Sequence, residues 1–238
     1  MSNGWWFQPP SAPTGPSATD RIIPNQLPLG GFTNNTAHGT LTAFHLWLPL
    51  QPILCSPLNQ QMINNTFWRN RVGMLIGMAS SSVQFAGNKL LENSAEDLQW
   101  LHICNSRFSW RPQIKDTLFV ATMDNVARPS PRKGALLVPE SEFLYISGVT
   151  FVNYGDTGAL NHCAGFGPNP CVCSWSRTTP LVSDFHHPHS FTARVDRLRF
   201  VNTTLRVWFE RTQQYWDLDG SVLTFAQVCC FGVFGKLL

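Results

Sequence analysis

A succession of short strand-like segments, beginning near residue 40, most constrains how this chain can fold. Thr40–Leu50 places Phe44, Leu46, Leu48 and Leu50 at every second position, which is typical of a β-strand with one buried face. Further segments are rich in β-branched and aromatic residues and are bounded by Gly, Pro, Asn or Asp: Val72–Phe85, Thr117–Met123, Glu142–Val152, Phe191–Val201, Thr203–Arg211 and Ser221–Phe234. About eight such segments predict an all-β domain.

One segment, Ser94–Cys104, favours a helix instead. Ser94 is a suitable N-cap, and Glu96 and Asp97 fall in the first turn, where the helix dipole favours negative charge. Apolar residues then recur at helical spacing. The sequence therefore predicts one short helix among the strands.

The apolar positions of Phe191–Phe200 change face near Asp196–Arg197. A β-bulge at this point would return both halves of the segment to the same side of a sheet. No internal repeat is visible in the chain, so nothing in the sequence indicates a repeat architecture.

Residues 1–39 predict an extended N-terminal arm, followed by a β domain over residues 40–238. The arm carries six prolines, which supply no backbone N–H group and restrict the chain to irregular, extended structure. Trp5, Trp6 and Phe7 lie at its tip, and residues of this size favour burial. We expect these three to anchor the arm, either on its own domain or on a neighbouring subunit.

Composition favours a protein that covers much of its surface with partners. Hydrophobic residues make up 43% of the chain and charged residues only 13%, with a net charge of +3. Aromatic residues are enriched, and charged residues depleted, at the centres of protein interfaces. So small a net charge argues against nucleic-acid binding by bulk electrostatics. Arg128, Arg132 and Lys133 are the candidates for weak contact with nucleic acid.

The candidate chemistry lies between residues 162 and 189, where thiol and imidazole side chains concentrate. Both groups are zinc ligands, but their spacing matches no common zinc module. The same residues could form the active site of a Cys/His hydrolase, but the sequence contains no recognisable nucleophile motif. No phosphate-binding glycine loop is present either. We therefore predict no enzyme and no cofactor, and keep a metal site or hydrolase as an alternative. The residues concerned are His162, Cys163, Cys171, Cys173, His186, His187 and His189.

Targeting signals are not visible in the sequence. The first residues form no secretion signal, and no run reaches the roughly 18 apolar residues of a membrane span. The seven cysteines are then expected to be reduced thiols in an intracellular product. On this interpretation, three triplets that fit the N-glycosylation pattern, beginning at Asn34, Asn64 and Asn202, are chance matches.

The arrangement of arm, about eight strands, short helix Ser94–Cys104 and long loops (124–141 and 153–190) resembles the jelly-roll coat proteins of small icosahedral viruses. The resemblance is architectural and spans the chain, although the Arg-rich arm of many such proteins is missing. It implies an antiparallel β-sandwich or jelly roll and a capsid subunit that self-assembles into a shell. Its partners would be other capsid subunits, weakly bound genome and a host receptor, and it would be made in the host cytoplasm and reside in the virion.

A second resemblance covers only the last eight residues, Phe231–Leu238. They look like the final strand of jelly rolls related to tumour necrosis factor, which assemble as trimers. The alternative function is therefore a trimeric binding module, similar to those proteins, to C1q or to lectins.

Overall fold

The computed structural model describes the residues 3–10, 12–18, 24, 30–46, 60–79, 83–103, 113–121, 134–138, 144–154, 181–183, 192–203, 207–208 and 214–221. These residues form three β-sheets and one short 3₁₀ turn, Gly15–Ser17. Sheet A contains β1 (Asn3–Phe7), β4 (Thr42–Leu46), β7 (Val72–Ala79), β10 (Glu96–Ile103), β13 (Gly134–Val138), β16 (Leu181–Ser183) and β19 (Val207–Trp208). Sheet B contains β2 (Gly31–Thr33), β5 (Gln60–Ile63), β8 (Val83–Ala86), β11 (Gln113–Lys115), β14 (Tyr145–Ser147), β17 (Thr192–Asp196) and β20 (Gln214–Asp217). Sheet C contains β3 (Thr36–His38), β6 (Thr66–Trp68), β9 (Lys89–Leu91), β12 (Leu118–Val120), β15 (Thr150–Val152) and β18 (Arg199–Val201).

Every strand pairs in parallel with the strand three places along the chain. Each coil therefore contributes one strand to sheet B, one to sheet C and one to sheet A before the chain returns to sheet B. This is a parallel β-helix, in which coils stack on their neighbours like the repeats of a solenoid. The prediction of an antiparallel jelly roll is wrong, because alternation of apolar residues along a strand does not determine which strand becomes its neighbour.

The predicted helix over Ser94–Cys104 is also wrong, since most of this segment is the strand β10. It pairs with β7 over six register positions and with β13 on its other side. Leu98 and Trp100 point into the core and are buried. Capping residues and helical spacing are weak local preferences, and pairing with two neighbouring strands overrides them.

The change of face at Asp196–Arg197 is a corner of the solenoid rather than a β-bulge. β17 ends at Asp196, Arg197 adopts a positive φ of 50°, and β18 begins two residues later in a different sheet. The coils also form a structural repeat that the sequence analysis missed. Its period varies, because the equivalent positions Gln61, Gln84, Gln113, Tyr145 and Arg194 lie 23, 29, 32 and 49 residues apart.

The core runs along the solenoid axis as columns of stacked side chains. In sheet C the middle residue of each strand points inwards, and in sheet B the second-to-last residue of each of the strands β2, β5, β8, β11, β14 and β17 does so. One apolar side chain per coil therefore joins each column. Aromatic rings stack in the sheet C column, where Phe151 lies 5.2 Å from Phe119 and 5.4 Å from Phe200 between ring centroids. The sheet B column is Phe32, Met62, Phe85, Ile114, Ile146 and Val195, and the sheet C column is Ala37, Phe67, Leu90, Phe119, Phe151 and Phe200.

The N-terminal residues join this solenoid directly. β1 is the terminal strand of sheet A and pairs with β4. Trp5 and Phe7 pack against Phe32, the first side chain of the sheet B column, with ring centroids 5.2 and 6.1 Å apart. The same stretch of chain contains β2 and β3, which open the first complete coil.

The corner between sheets B and C has the same form in every described coil. Two residues separate the strands, and the first of them has a positive φ between 47° and 65°. Asn, Asp and Gly tolerate this left-handed conformation better than other residues. These first residues are Asn34, Asn64, Gly87, Asp116, Gly148 and Arg197.

The second residue of this turn forms an asparagine ladder in the first three coils. The backbone N–H of Asn35 donates to Oδ1 of Asn65 at 3.0 Å, and the backbone N–H of Asn65 donates to Oδ1 of Asn88 at 2.9 Å. Nδ2 of Asn65 also donates to the carbonyl of Phe32, at 2.9 Å. Asn65 and Asn88 are almost fully buried, so their side chains satisfy backbone groups of the corner that water cannot reach.

A second ladder stabilises the corner between sheets C and A. The backbone N–H of Thr40 donates to Oδ1 of Asn70 at 3.1 Å, and that of Asn70 donates to Oδ1 of Asn93 at 3.0 Å. Nδ2 of Asn93 donates to Asp97 at 2.7 Å, and the hydroxyl of Tyr154 donates to the other oxygen of the same carboxylate. The buried Asp97 is therefore held by hydrogen bonds on both oxygens.

Replacing Asn65 with Ala should destabilise the protein by about 3 kcal/mol, because the backbone N–H of Asn35 and the carbonyl of Phe32 lose their side-chain partner and Oδ1 of Asn88 loses a donor. Urea unfolding followed by far-UV circular dichroism measures the change. The matched control is Asn64→Gly, which alters the adjacent exposed turn residue while retaining a residue suited to positive φ, and should change stability by less than about 1 kcal/mol. Equal losses in the two variants would show that the ladder contributes little.

Gly73→Ala should cost about 1–3 kcal/mol through overpacking. A Cβ at this position would overlap the backbone oxygen of Asp97 and lie 2.9 Å from Nδ2 of Asn93. Gly31→Ala is the control, because its Cβ would meet only Thr33 Cγ2 at the ordinary distance of 3.8 Å. A lower thermal midpoint for the first variant alone is the expected result.

Candidate binding face

The outer face of sheet B presents its side chains in two columns that run along the solenoid axis. In strands β5, β8, β11, β14 and β17 the second-to-last residue points inwards, so the residues on either side of it point outwards. The first column, which we call the amide column, consists of Gln61, Gln84, Gln113, Tyr145 and Arg194. The second, the flanking column, consists of Ile63, Ala86, Lys115, Ser147 and Asp196.

The three glutamines of the amide column are available to a ligand. Gln61 is exposed, and Gln84 and Gln113 are half-buried. Within the described part of the chain, none of these three side chains forms a hydrogen bond with another protein group. Each amide carries two N–H donors and an acceptor oxygen, and neighbouring amides are spaced by one strand, about 4.8 Å.

A network of polar contacts holds Tyr145 in the same column. Its hydroxyl donates to Oδ2 of Asp196 at 2.7 Å, and Lys115 Nζ lies 5.9 Å from the centre of its ring. Arg197 donates to the hydroxyl of Ser147 at 2.7 Å and lies 3.9 Å from Asp196. The half-buried tyrosine ring is thus fixed in orientation at the end of the row of amides.

The last described turn is held by the side chains of Asp219 and Ser221. Asp219 accepts hydrogen bonds from the backbone N–H groups of Arg197, at 2.6 Å, and Ser221, at 3.0 Å. The hydroxyl oxygen of Ser221 accepts one from the backbone N–H of Leu198, at 3.1 Å. Burial raises the pKa of the Asp219 carboxyl, but its hydrogen bonds outweigh this and hold the pKa below its usual value.

The outer face of sheet C has a different character. One of its columns begins with His38 and Trp68, whose rings stack 4.5 Å apart, and continues with aliphatic side chains. Arg69 lies 5.7 Å from the Trp68 ring and forms an ion pair of 2.7 Å with Glu92. The aliphatic members of this apolar column are Leu91, Val120, Val152 and Val201.

Of the predicted anchor residues, only Trp6 points away from the core. It is 60% exposed and stacks on His45 of β4, with ring centroids 6.1 Å apart and planes inclined by 12°. Burial lowers the pKa of His45. Trp5 and Phe7 instead pack on the end of the core, as described above.

The remaining predicted site residues lie outside the described residues. These are Arg128, Arg132 and Lys133, and the candidate metal or hydrolase residues His162, Cys163, Cys171, Cys173, His186, His187 and His189. Within the part of the chain that is described, no three His, Cys, Asp or Glu side chains are close enough together to hold a metal ion. No helix in the same part has the length and hydropathy to cross a membrane.

Sequence reasoning missed the amide column, although a signal for it is present. Each of its five residues lies three positions before the turn residue with positive φ, as Gln61 does before Asn64 and Tyr145 before Gly148. If the segments are aligned on these turn residues, and not at a fixed period, the five residues of the amide column fall at the same position.

Comparison with known proteins identifies one distant relative. The chain is 25% identical over 208 residues to mouse (Mus musculus) Fibrocystin-L, an alignment that takes in 78% of this chain and 5% of that protein. The chain thus spans only a small part of the relative. No protein-family model matches the chain, and no solved structure matches it significantly.

Asp219 should make stability depend on pH in acid. The pKa of Asp219 is lower in the folded state than in the unfolded state. Its contribution to the free energy of unfolding is therefore fully present above the unfolded-state pKa, near 3.8, and is lost as the pH falls through the folded-state pKa. The thermal midpoint of the wild type should therefore fall more steeply below about pH 4 than that of Asp219→Asn. Asn64→Gly, at the exposed first residue of a sheet B to sheet C turn, changes no titratable group; it is the control, and its pH profile should run parallel to that of the wild type. If the thermal midpoints of all three proteins fall equally as the pH is lowered, the Asp219 carboxylate does not stabilise the fold in this way.

Proposed function

We propose that this chain is a binding module that holds an extended polysaccharide along the outer face of sheet B. The proposal rests on the amide column. Its three glutamine side chains have no hydrogen-bond partner among the described residues, and they lie in register with one another and with Tyr145, whose ring is held in a fixed orientation. From Gln61 to Arg194 the column crosses five strands, which is about 19 Å at the usual strand spacing. A ligand that contacts all of it has to be long and narrow.

The chemistry of the column favours a ligand rich in hydroxyl groups. Amide side chains donate and accept hydrogen bonds, as sugar hydroxyls do. Tyr145 offers an apolar ring with a polar tip, a combination that suits the apolar and polar surfaces of a sugar ring. Such contacts recur from coil to coil, so they match a polymer with a repeating unit.

The charges of this face argue against a nucleic acid. Lys115, Arg194 and Arg197 are accompanied by Asp196 and Asp219. Nucleic-acid binding depends on neutralising many phosphates with Lys and Arg, and the nearby carboxylates oppose it. A neutral or weakly acidic polysaccharide suits this balance better.

The apolar column of sheet C favours a second candidate function, self-association. Trp68 and the aliphatic residues beyond it form a continuous stripe on a half-exposed sheet face. The capsid subunit and the trimeric binding module predicted from the sequence would both use such a surface. Both stay predictions, and the jelly-roll architecture from which they were inferred is not the fold of this chain.

Replacing Gln84 and Gln113 together with Ala should weaken polysaccharide binding roughly tenfold or more, because each lost hydrogen bond contributes about 1 kcal/mol. Retardation in native gels containing a neutral β-glucan or an acidic polyuronate measures the affinity. The control is Thr150→Ala, which changes a half-buried residue on the outer face of sheet C.

Equal retardation of the double variant and the wild type would contradict the assignment to sheet B. Migration unaffected by either polymer would contradict polysaccharide binding altogether. If light scattering in that case showed large particles, self-association through sheet C would become the leading candidate.

A further inference from the structure

The chain contains three Asn-x-Thr triplets, and all three begin at exposed corners of the solenoid. They are Asn34-Asn35-Thr36, Asn64-Asn65-Thr66 and Asn202-Thr203-Thr204. Asn34 and Asn64 occupy the same position in successive coils, at the corner between sheets B and C, and Asn202 lies at the corner between sheets C and A. Each has a positive φ, between 48° and 58°, and each is exposed.

Exposure separates these asparagines from the others in the described part of the chain. Asn34, Asn64 and Asn202 are exposed, whereas every other described asparagine is half-buried or buried, and none of those begins an Asn-x-Ser/Thr triplet. The seven others are Asn3, Asn35, Asn65, Asn70, Asn88, Asn93 and Asn153.

The fold accounts for the first two residues of the triplets at 34 and 64 but not for the third. Positive φ favours Asn at the first position, and the ladder favours Asn at the second. The third position begins a strand of sheet C, and the other coils place Lys89, Leu118, Thr150 or Arg199 there. A hydroxyl at this position is therefore not required by the fold, yet it follows each of the exposed asparagines 34 and 64.

We propose that Asn34 and Asn64 are acceptor sites for N-linked glycans, with Asn202 as a third. In the transfer, the side-chain amide nitrogen forms a bond to C1 of the reducing-end sugar of a lipid-linked oligosaccharide. The bond between C1 and the lipid diphosphate breaks, the lipid diphosphate leaves with the bonding electrons, and the amide nitrogen gives up one proton. No oxidation or reduction takes place.

The folded solenoid accommodates a glycan on these residues. Within the described residues, the side chains of Asn34 and Asn64 take no part in a hydrogen bond. A sugar on either would extend from the corner into solvent and leave the buried ladder of Asn65 and Asn88 intact. Nδ2 of Asn202 donates to Asn153 at 3.0 Å, so this site gives up one exposed hydrogen bond when it is modified.

Glycosylation of these asparagines would require that the chain enter the secretory pathway. Lipid-linked oligosaccharide is transferred in the secretory compartment, so the triplets would not be the chance matches expected of a cytoplasmic product. This inference does not depend on polysaccharide binding by sheet B. Asn64 lies in the same coil as Gln61, but it is at the corner between sheets B and C and not on the outer face of sheet B.

The test is occupancy of the three sites in the full chain, produced in eukaryotic cells behind a cleavable secretion leader. Peptide N-glycosidase digestion in ¹⁸O-labelled water converts each glycosylated asparagine to labelled aspartate, which peptide mass spectrometry locates. We expect label at Asn34 and Asn64, and none at Asn35, Asn65, Asn88 or Asn93. The medium and the lumenal membrane fraction are both analysed, so a chain that is retained still gives a result.

Two matched variants test whether modification depends on the hydroxyl group of the third residue of each triplet. Thr36→Ala/Thr66→Ala should abolish label at both asparagines, whereas Thr36→Ser/Thr66→Ser should retain it, because only the hydroxyl is needed. Thermal midpoints before and after deglycosylation should agree within a few degrees if the glycans extend from the corners. Unlabelled Asn34 and Asn64, in cells that glycosylate a co-expressed reporter, would overturn the proposal.

Discussion

The fold depends on the hydrogen bonding of the two-residue turn between sheets B and C. Each turn needs one residue at positive φ and places the next against the core, where backbone N–H groups are cut off from water. Asn65 and Asn88 supply the acceptors for those groups and donate to carbonyls of the preceding coil. Because the turn keeps its length from coil to coil, the strands on either side of it stay in register.

That register explains why functional groups on this solenoid are arranged in columns. A short strand with its middle residue in the core presents one residue on each side of it to solvent, and parallel stacking places equivalent residues one above another. The amide column of sheet B and the apolar column of sheet C both arise in this way. Corners, by contrast, direct exposed residues such as Asn34 and Asn64 away from both faces. The same backbone therefore keeps the proposed binding face, the apolar face and the proposed glycosylation sites apart.

Sequence reasoning located several of the strand-forming segments but missed β1, β2, β3, β13 and β16, which lie in segments predicted to be an arm or loops. It also misjudged two local signals. The turn at Arg197 was interpreted as a bulge, since a single sequence does not distinguish a kink within one strand from a corner between two. The Ser94–Cys104 segment carries helix-capping residues, yet Leu98 and Trp100 complete core columns that only a strand can supply. The amide column was not recognised because coils of unequal length conceal the equivalence of Gln61, Gln84 and Gln113.

What the sequence determined by itself was local: which segments are apolar at alternate positions, where Asn, Asp and Gly permit positive φ, and which triplets form glycosylation motifs. Backbone sterics and side-chain periodicity act within a few residues, so a single chain reveals them. Only the tertiary structure decided that the strands are parallel, that they close into coils and that distant glutamines share one face. Those outcomes depend on hydrogen bonds between residues 22 or more positions apart, as between Asn65 and Asn88, and no local pattern specifies which partners will meet.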